Sequence, residues 1–151
     1  MSVHRAKIEW QRNGMSFEPS KYSRAHRIEF EPSVSLLGIA AKENLPPGAP
    51  HSPGADPEQL FVASLSACHM LWFIALASVR RLVVNRYLDE AEGVLEKDSE
   101  GRTAMTRVTL RPAVEFAAPP SPEALAELHH KAHDKCFIAN SVKTEVLIEP
   151  R

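Results

Sequence analysis

The sequence predicts a chain of mixed strand and helix, with strands on both sides of a long apolar helix and a second helix near the end. Three observations carry this. Several short runs alternate apolar and polar residues, the period of a half-buried strand. Twenty residues, Leu60 to Val79, are apolar on every side, interrupted only by Ser64, Ser66, Cys68, His69 and Ser78. Two segments, Asp56-Pro57-Glu58-Gln59 and Ser121-Pro122-Glu123, open in the way helices open.

Each element can be justified in turn. His4, Ala6, Ile8 and Trp10 share one face against Arg5, Lys7 and Glu9, and His26, Ile28 and Phe30 repeat the pattern against Arg27, Glu29 and Glu31. Leu36 to Ala40 is a short apolar third strand. The prolines of Leu45 to Gly54 stiffen a loop that reads as a rim or lid over a site. Asp56 is an N-cap, Pro57 takes N1, and Gln59 can reach back to complete a capping box. The stretch that follows is long enough to cover the ~30 Å hydrocarbon core of a bilayer. The remainder is polar and amphipathic, with no Lys/Arg asymmetry built around an anchor, so the reading is a core helix covered by protein on all sides. Tyr87 to Lys97 and Thr103 to Phe116 flank the turn Asp98-Ser99-Glu100-Gly101 and form a hairpin, with Pro112 at a bulge or edge position. In the second helix Leu125, Leu128, Ala132 and Cys136 recur at helical spacing, which turns Cys136 to the core. Lys143 to Glu149 is a closing strand, with Thr144, Val146 and Ile148 on one side.

At 151 residues the chain, 1–151, is expected to be one domain that needs neither metal nor disulfide to fold. A net charge of -1 with no run of like charge argues against nucleic acid as the partner and for a small, modestly polar ligand. The start, MSVHRAKIEW, carries no apolar leader, so a reducing cytoplasm is expected, where two cysteines stay free or pair transiently.

A cysteine in an apolar helix is usually inert, so function turns on what stands near Cys68. Glu58 lies ten residues earlier on the same helix, ~15 Å along its axis. The helix dipole fades within a turn, so a cation from elsewhere would have to activate the thiol. Arg24, in Tyr22-Ser23-Arg24-Ala25-His26, is the best-placed loop arginine. A rival reading is metal: His129, His133 and Cys136 stack at i, i+4 and i+7, with His69 as a fourth ligand. Against it, His130-Lys131 suggests a wet helix face, and no bound metal is expected. Trp72 and Phe73 read as core.

Asp56-Pro57-Glu58-Gln59-Leu60, running on to Ala67-Cys68, resembles the Asn-Pro-Glu-(Gln/Glu)-Leu to Ala-Cys stretch of the OsmC/Ohr family of thiol peroxidases. Cys136-Phe137-Ile138-Ala139-Asn140 resembles that family's second cysteine segment, and Tyr22 to His26 is similar to its OsmC-like branch. Asp56 and Phe137 depart from the usual Asn and Pro.

The resemblance implies an α+β fold with antiparallel sheets packed around two long central helices, in an intertwined homodimer. It also implies that Cys68 is the peroxidatic thiol, Cys136 the resolving thiol, and Arg24 with Glu58 the pair that places a guanidinium beside the sulfur. The implied activity is reduction of organic hydroperoxides to alcohols. It runs through a Cys68 sulfenic acid and a Cys68–Cys136 disulfide, which an external dithiol such as a lipoyl protein would reopen, with no cofactor, nucleic acid or membrane involved. The alternative is a stress-response or small-ligand-binding protein of the same fold without efficient turnover.

Overall fold

The computed structural model describes residues 1–31 and 33–151. The chain divides into two compact units, Met1–Leu60 and Phe61–Arg151.

In the first unit β1 (Ala6–Glu9), β2 (His26–Phe30) and β3 (Val34–Gly38) form an antiparallel meander in which Ile28 pairs with both Ile8 and Leu36. Of those three only Ile28 is buried, and β1 is exposed along its whole length. The end of β3 is clipped to the approach of the first helix by Ala55 N–H donating to the Leu37 carbonyl and Ile39 N–H donating to the Ala55 carbonyl, each at 3.0 Å. Gly54 permits this, because a Cβ there would lie 2.7 Å from the Leu37 carbonyl oxygen.

Helix α1 runs Pro57–Val79 and starts as its sequence predicts. The Gln59 amide N–H donates to Asp56 Oδ1 at 2.7 Å, and the Asp56 N–H donates back to Gln59 Oε1 at 3.2 Å. Its buried residues, Leu65, His69, Phe73 and Ala77, recur every fourth position as one stripe. Leu71, Ile74 and Val79 are exposed. The expectation of protein cover on all sides therefore fails for the single chain, which seats one face only. The helix ends in a Schellman-like turn in which Leu82 N–H donates to the Ala77 carbonyl and Arg81 takes a left-handed φ of 60°.

The rest of the second unit comprises β4 (Val84–Asp89), β5 (Glu92–Lys97), β6 (Thr103–Leu110), β7 (Pro112–Phe116), α2 (Pro122–Lys135) and β8 (Glu145–Ile148). The two long strands expected from the sequence are each broken in two. β5 and β6 form the expected hairpin, while β4 pairs with β7 in a separate sheet. Asp89 holds the breaks together, since its Oδ1 accepts the Arg111 N–H at 2.6 Å and its Oδ2 accepts the Ser66 hydroxyl at 2.5 Å. Pro112, with no N–H to give, opens β7 opposite Asp89. The sheets are not wholly antiparallel: β8 lies parallel to β6, with Val108 opposite Val146.

Two apolar clusters form. Phe73 and Ala77 of α1 pack with Leu128 and Ala132 of α2, and Leu65 packs with Val108 and Leu110 of β6. Gly93 lets α1 close on β5, because a Cβ there would meet Val62 Cγ2 and Met105 Sδ at 2.6 Å.

Candidate active site

In the second unit, Cys68 is half-buried on α1 and Cys136 is buried, 1% exposed; both are free thiols. Cys136 does not lie within α2 as the spacing suggested. It is the C-cap residue, its N–H donating to the His133 carbonyl. The helix stops there because Asn140 folds back, its Nδ2 donating to the Asp134 carbonyl at 3.0 Å and satisfying an acceptor of the last turn. The core-facing direction of Cys136 is as expected. Burial pushes its thiol up to about 11, opposed by the Ala139 N–H that donates to Sγ at 3.4 Å; the Cys68 thiol, within hydrogen-bonding reach, adds to the rise. Cys136 is therefore a protonated thiol at neutral pH.

One turn beyond Cys68, Trp72 is partly buried against the core, and its ring meets Phe137 edge-on with centroids 5.4 Å apart. Lys135 Nζ stands 5.4 Å over the same indole. Phe73 is core, as expected. Trp72 instead ties α1 to the segment that carries Cys136.

In the first unit, Arg24 and Glu58 converge on a common residue and not on each other. Arg24 Nη1 donates to the Asn44 carbonyl at 3.2 Å, and Asn44 Nδ2 donates to Glu58 Oε1 at 3.4 Å. Glu58 Oε2 is buried without a partner among the described residues. Asn44 was not legible as a site residue, because it ends a short 3-10 turn, Lys42–Asn44, in a stretch without periodicity. The guanidinium also lies 5.9 Å from the centre of the Tyr22 ring. With Ile8, Trp10, Phe17, Tyr22 and His26 it lines a groove of about 400 Å³ whose surface is mostly apolar and includes the rings of Trp10, Phe17 and Tyr22. Phe17 stacks on Tyr22 at 4.9 Å, and Trp10 Nε1 donates to the Ser23 carbonyl. The proline-rich segment packs over the Arg24 stretch, Leu45, Pro50, His51 and Ser52 meeting Ser23, Arg24 and Ala25 across a small crevice.

The helical histidines differ from their reading as a wet face. His129 is buried and only its neighbour His130 is exposed, because His129 Nδ1 meets His69 Nε2 across the helix pair at 3.1 Å. Burial holds both rings down to about 4, with His129 and His133 adding to the effect on His69 and Asp89 opposing it on His129. The two rings are hydrogen-bonded to each other, and no group of three or more His, Cys, Asp or Glu placed to hold a metal ion occurs among the described residues.

Residues 49–151 match the family model of OsmC-like proteins. An OsmC-like protein of unknown function from Vibrio cholerae is 43% identical, with both chains covered completely and a TM-score of 0.95. Two more distant structures share the fold. An organic hydroperoxide resistance protein from Elizabethkingia anophelis is 16% identical over 99% of this chain and 94% of its own, with a TM-score of 0.71. The organic hydroperoxide resistance protein OhrB of Bacillus subtilis is 20% identical over 99% and 98%, with a TM-score of 0.66. No curated protein sequence matches the chain. The match over residues 49–151, which takes in Glu58, both cysteines and Asn140, places this chain in the OsmC-like family.

Proposed function

We propose that the protein is a thiol-dependent peroxidase that reduces organic hydroperoxides to alcohols. The observation that supports this most is the meeting of two free thiols, one half-exposed on α1 and one buried, protonated and capping α2. In the proposed cycle the Cys68 thiolate attacks the O–O bond; one oxygen stays on sulfur as sulfenic acid, and the other leaves with a proton as the alcohol. The Cys136 thiol then displaces the sulfenic hydroxyl as water and closes the disulfide. An external dithiol, a lipoyl protein among the candidates, reopens it in a cytoplasmic setting.

Arg24 is proposed to stabilise the thiolate and donate to the leaving oxygen, with Glu58 and Asn44 as positioning residues that hold the guanidinium. The apolar lining beside Arg24 suits an apolar peroxide tail. A homodimer is proposed because the open face of α1, with Leu71, Ile74 and Val79, needs cover that a second copy supplies.

The test is intact mass and thiol titration before and after one equivalent of an organic hydroperoxide. Loss of both thiols with a gain of one internal disulfide is expected. Two free thiols and unreacted peroxide would overturn the reading. One observation favours a second reading, a binding protein without turnover: Arg24 and Glu58 are separated by Asn44 and make no direct ion pair among the described residues. That reading requires the thiols to survive the same pulse.

A further inference from the structure

Two buried histidines have no part in the cycle above. His69 directly follows Cys68 and is 1% exposed; His129 lies on α2, seven residues before Cys136, and is 4% exposed. Their bond is the one side-chain hydrogen bond between α1 and α2 among the described residues, and the rings are parallel within 5°. The rest of the buried contact is apolar, Phe73 and Ala77 against Leu128 and Ala132; the polar contacts at its edges are Lys135 over the Trp72 ring and Arg80, just past α1, with Glu127. Apolar burial is non-directional and tolerates sliding, whereas a hydrogen bond between two rigid rings does not. The free nitrogens, His69 Nδ1 and His129 Nε2, have no other protein partner among the described residues, so each ring has only the other.

We propose that the His69–His129 hydrogen bond is the positioning contact that fixes the register of α1 against α2, and with it the approach of the Cys68 and Cys136 sulfurs when the disulfide closes. This rests on the two-thiol reading above. Closure forms the S–S bond and breaks the S–O bond, and the Cys136 proton leaves with the hydroxyl as water. A slip of one helical turn, about 5.4 Å, would carry the sulfurs out of bonding reach, since an S–S bond is about 2.05 Å long. The titratable groups that act on the pair are His133 on α2 and Asp89 on β4, and Tyr87 of β4 packs on Phe73, whose ring lies 4.4 Å from that of His129. With both rings neutral, one donates and the other accepts; once both are protonated neither can accept.

The test uses the full chain and a dithiol oxidant, diamide, which takes up the two electrons and two protons of closure independently of any peroxide activity. His69→Leu and His129→Leu should each slow disulfide closure at least tenfold, with iodoacetamide alkylation of Cys68 within twofold of wild type. His129→Asn puts an amide atom where Nδ1 stood and His69→Gln puts one where Nε2 stood, so both should recover most of the rate. The ratio of wild-type to His129→Leu rates should hold from pH 8 to 5 and collapse toward pH 4. Leucine variants that close at the wild-type rate would overturn the proposal. Should they not fold, ring nitrogen NMR of the wild type decides: neutral, mutually bonded rings at pH 6 support it, and titration near the ordinary 6.5 overturns it. A wild type that closes with diamide but ignores hydroperoxide would remove the peroxidase reading and leave the positioning role to be judged on the diamide rates.

Discussion

Helices α1 and α2 face each other, yet the two sequences specify that contact in different ways. α1 has 23 residues, apolar on nearly every face, and buries four; α2 has 14, clearly amphipathic, and buries three. The shorter helix announces its buried side, because only one face of it is apolar. The longer one offers several equivalent faces, so pattern alone cannot say which is seated. What singles out the Leu65, His69, Phe73, Ala77 stripe is its one polar member, which has a matching partner on α2.

The largest break in the comparison comes from the thiols, one from each side. Cys68→Ser should drop peroxide consumption to the uncatalysed background, while Cys136→Ser should react once and then accumulate oxidised Cys68. Peroxide consumption by stopped flow, with intact mass after one turnover, distinguishes them. A Cys136→Ser protein inert in the first turnover beside an active Cys68→Ser protein would reverse the assignment.

The unseated face of α1 supplies the next effect. Ile74→Asp should weaken self-association by about 2 kcal/mol or more, roughly thirtyfold in dissociation constant, if a second copy covers that face. Sedimentation across a concentration series reads this. A wild type that stays a compact monomer at high micromolar concentration would show that something other than a second copy covers α1.

The stripe that is seated should be sensitive to acid. The folded-state values of His69 and His129 lie below the unfolded value of 6.5, so their contribution is complete above pH 6.5 and is lost as pH falls through about 4. At ~1.4 kcal/mol per pH unit, this amounts to up to about 3 kcal/mol per ring. Cys136 acts at the other limit: its raised thiol value makes stability present below pH 9 and lost as pH climbs toward 11. Urea melts from pH 4 to 10 on wild type and His129→Leu should show the acid slope flattened in the variant. An unchanged acid slope would mean that other groups set it.

Legibility followed the same divide. Elements with a local chemical cause were readable: the Asp56–Gln59 box, the Ser121 cap, the β5–β6 hairpin, and the alternation of β2. Elements whose cause is long-range were not. Nothing near Glu90 marks the first strand break, and Pro112 marks only a bulge or edge position beside the second; Asp89 joins the two by reaching across 22 residues of sequence. The end of α1 was readable only from where the apolar run stops, at Val79, since the left-handed position holds Arg81 and not the glycine that would mark a cap. At the candidate site both cysteines, Arg24 and Glu58 stand out in the sequence, with their roles implied by the family resemblance, but Asn44 sits between the last two in an unpatterned turn. The His69–His129 bond joins residues sixty apart and could not be read from either helix alone.

The smallest effect separates the two helix starts. Both were legible and both form, but they are built differently. Asp56 is 9% exposed and makes two reciprocal bonds with Gln59, whereas Ser121 is exposed and accepts one, from the Ala124 N–H at 3.2 Å. Replacing an N-cap by alanine costs about 0.5–2 kcal/mol, so Asp56→Ala should fall near the top of that range and Ser121→Ala near the bottom. Gln59→Ala removes only the return bond and should cost less than Asp56→Ala. The shift in urea midpoint at constant slope measures all three. If Ser121→Ala proved the costlier change, the polar start of α2 and not the box of α1 would be the stronger anchor, and the register of the helix pair would be set mainly from the α2 side.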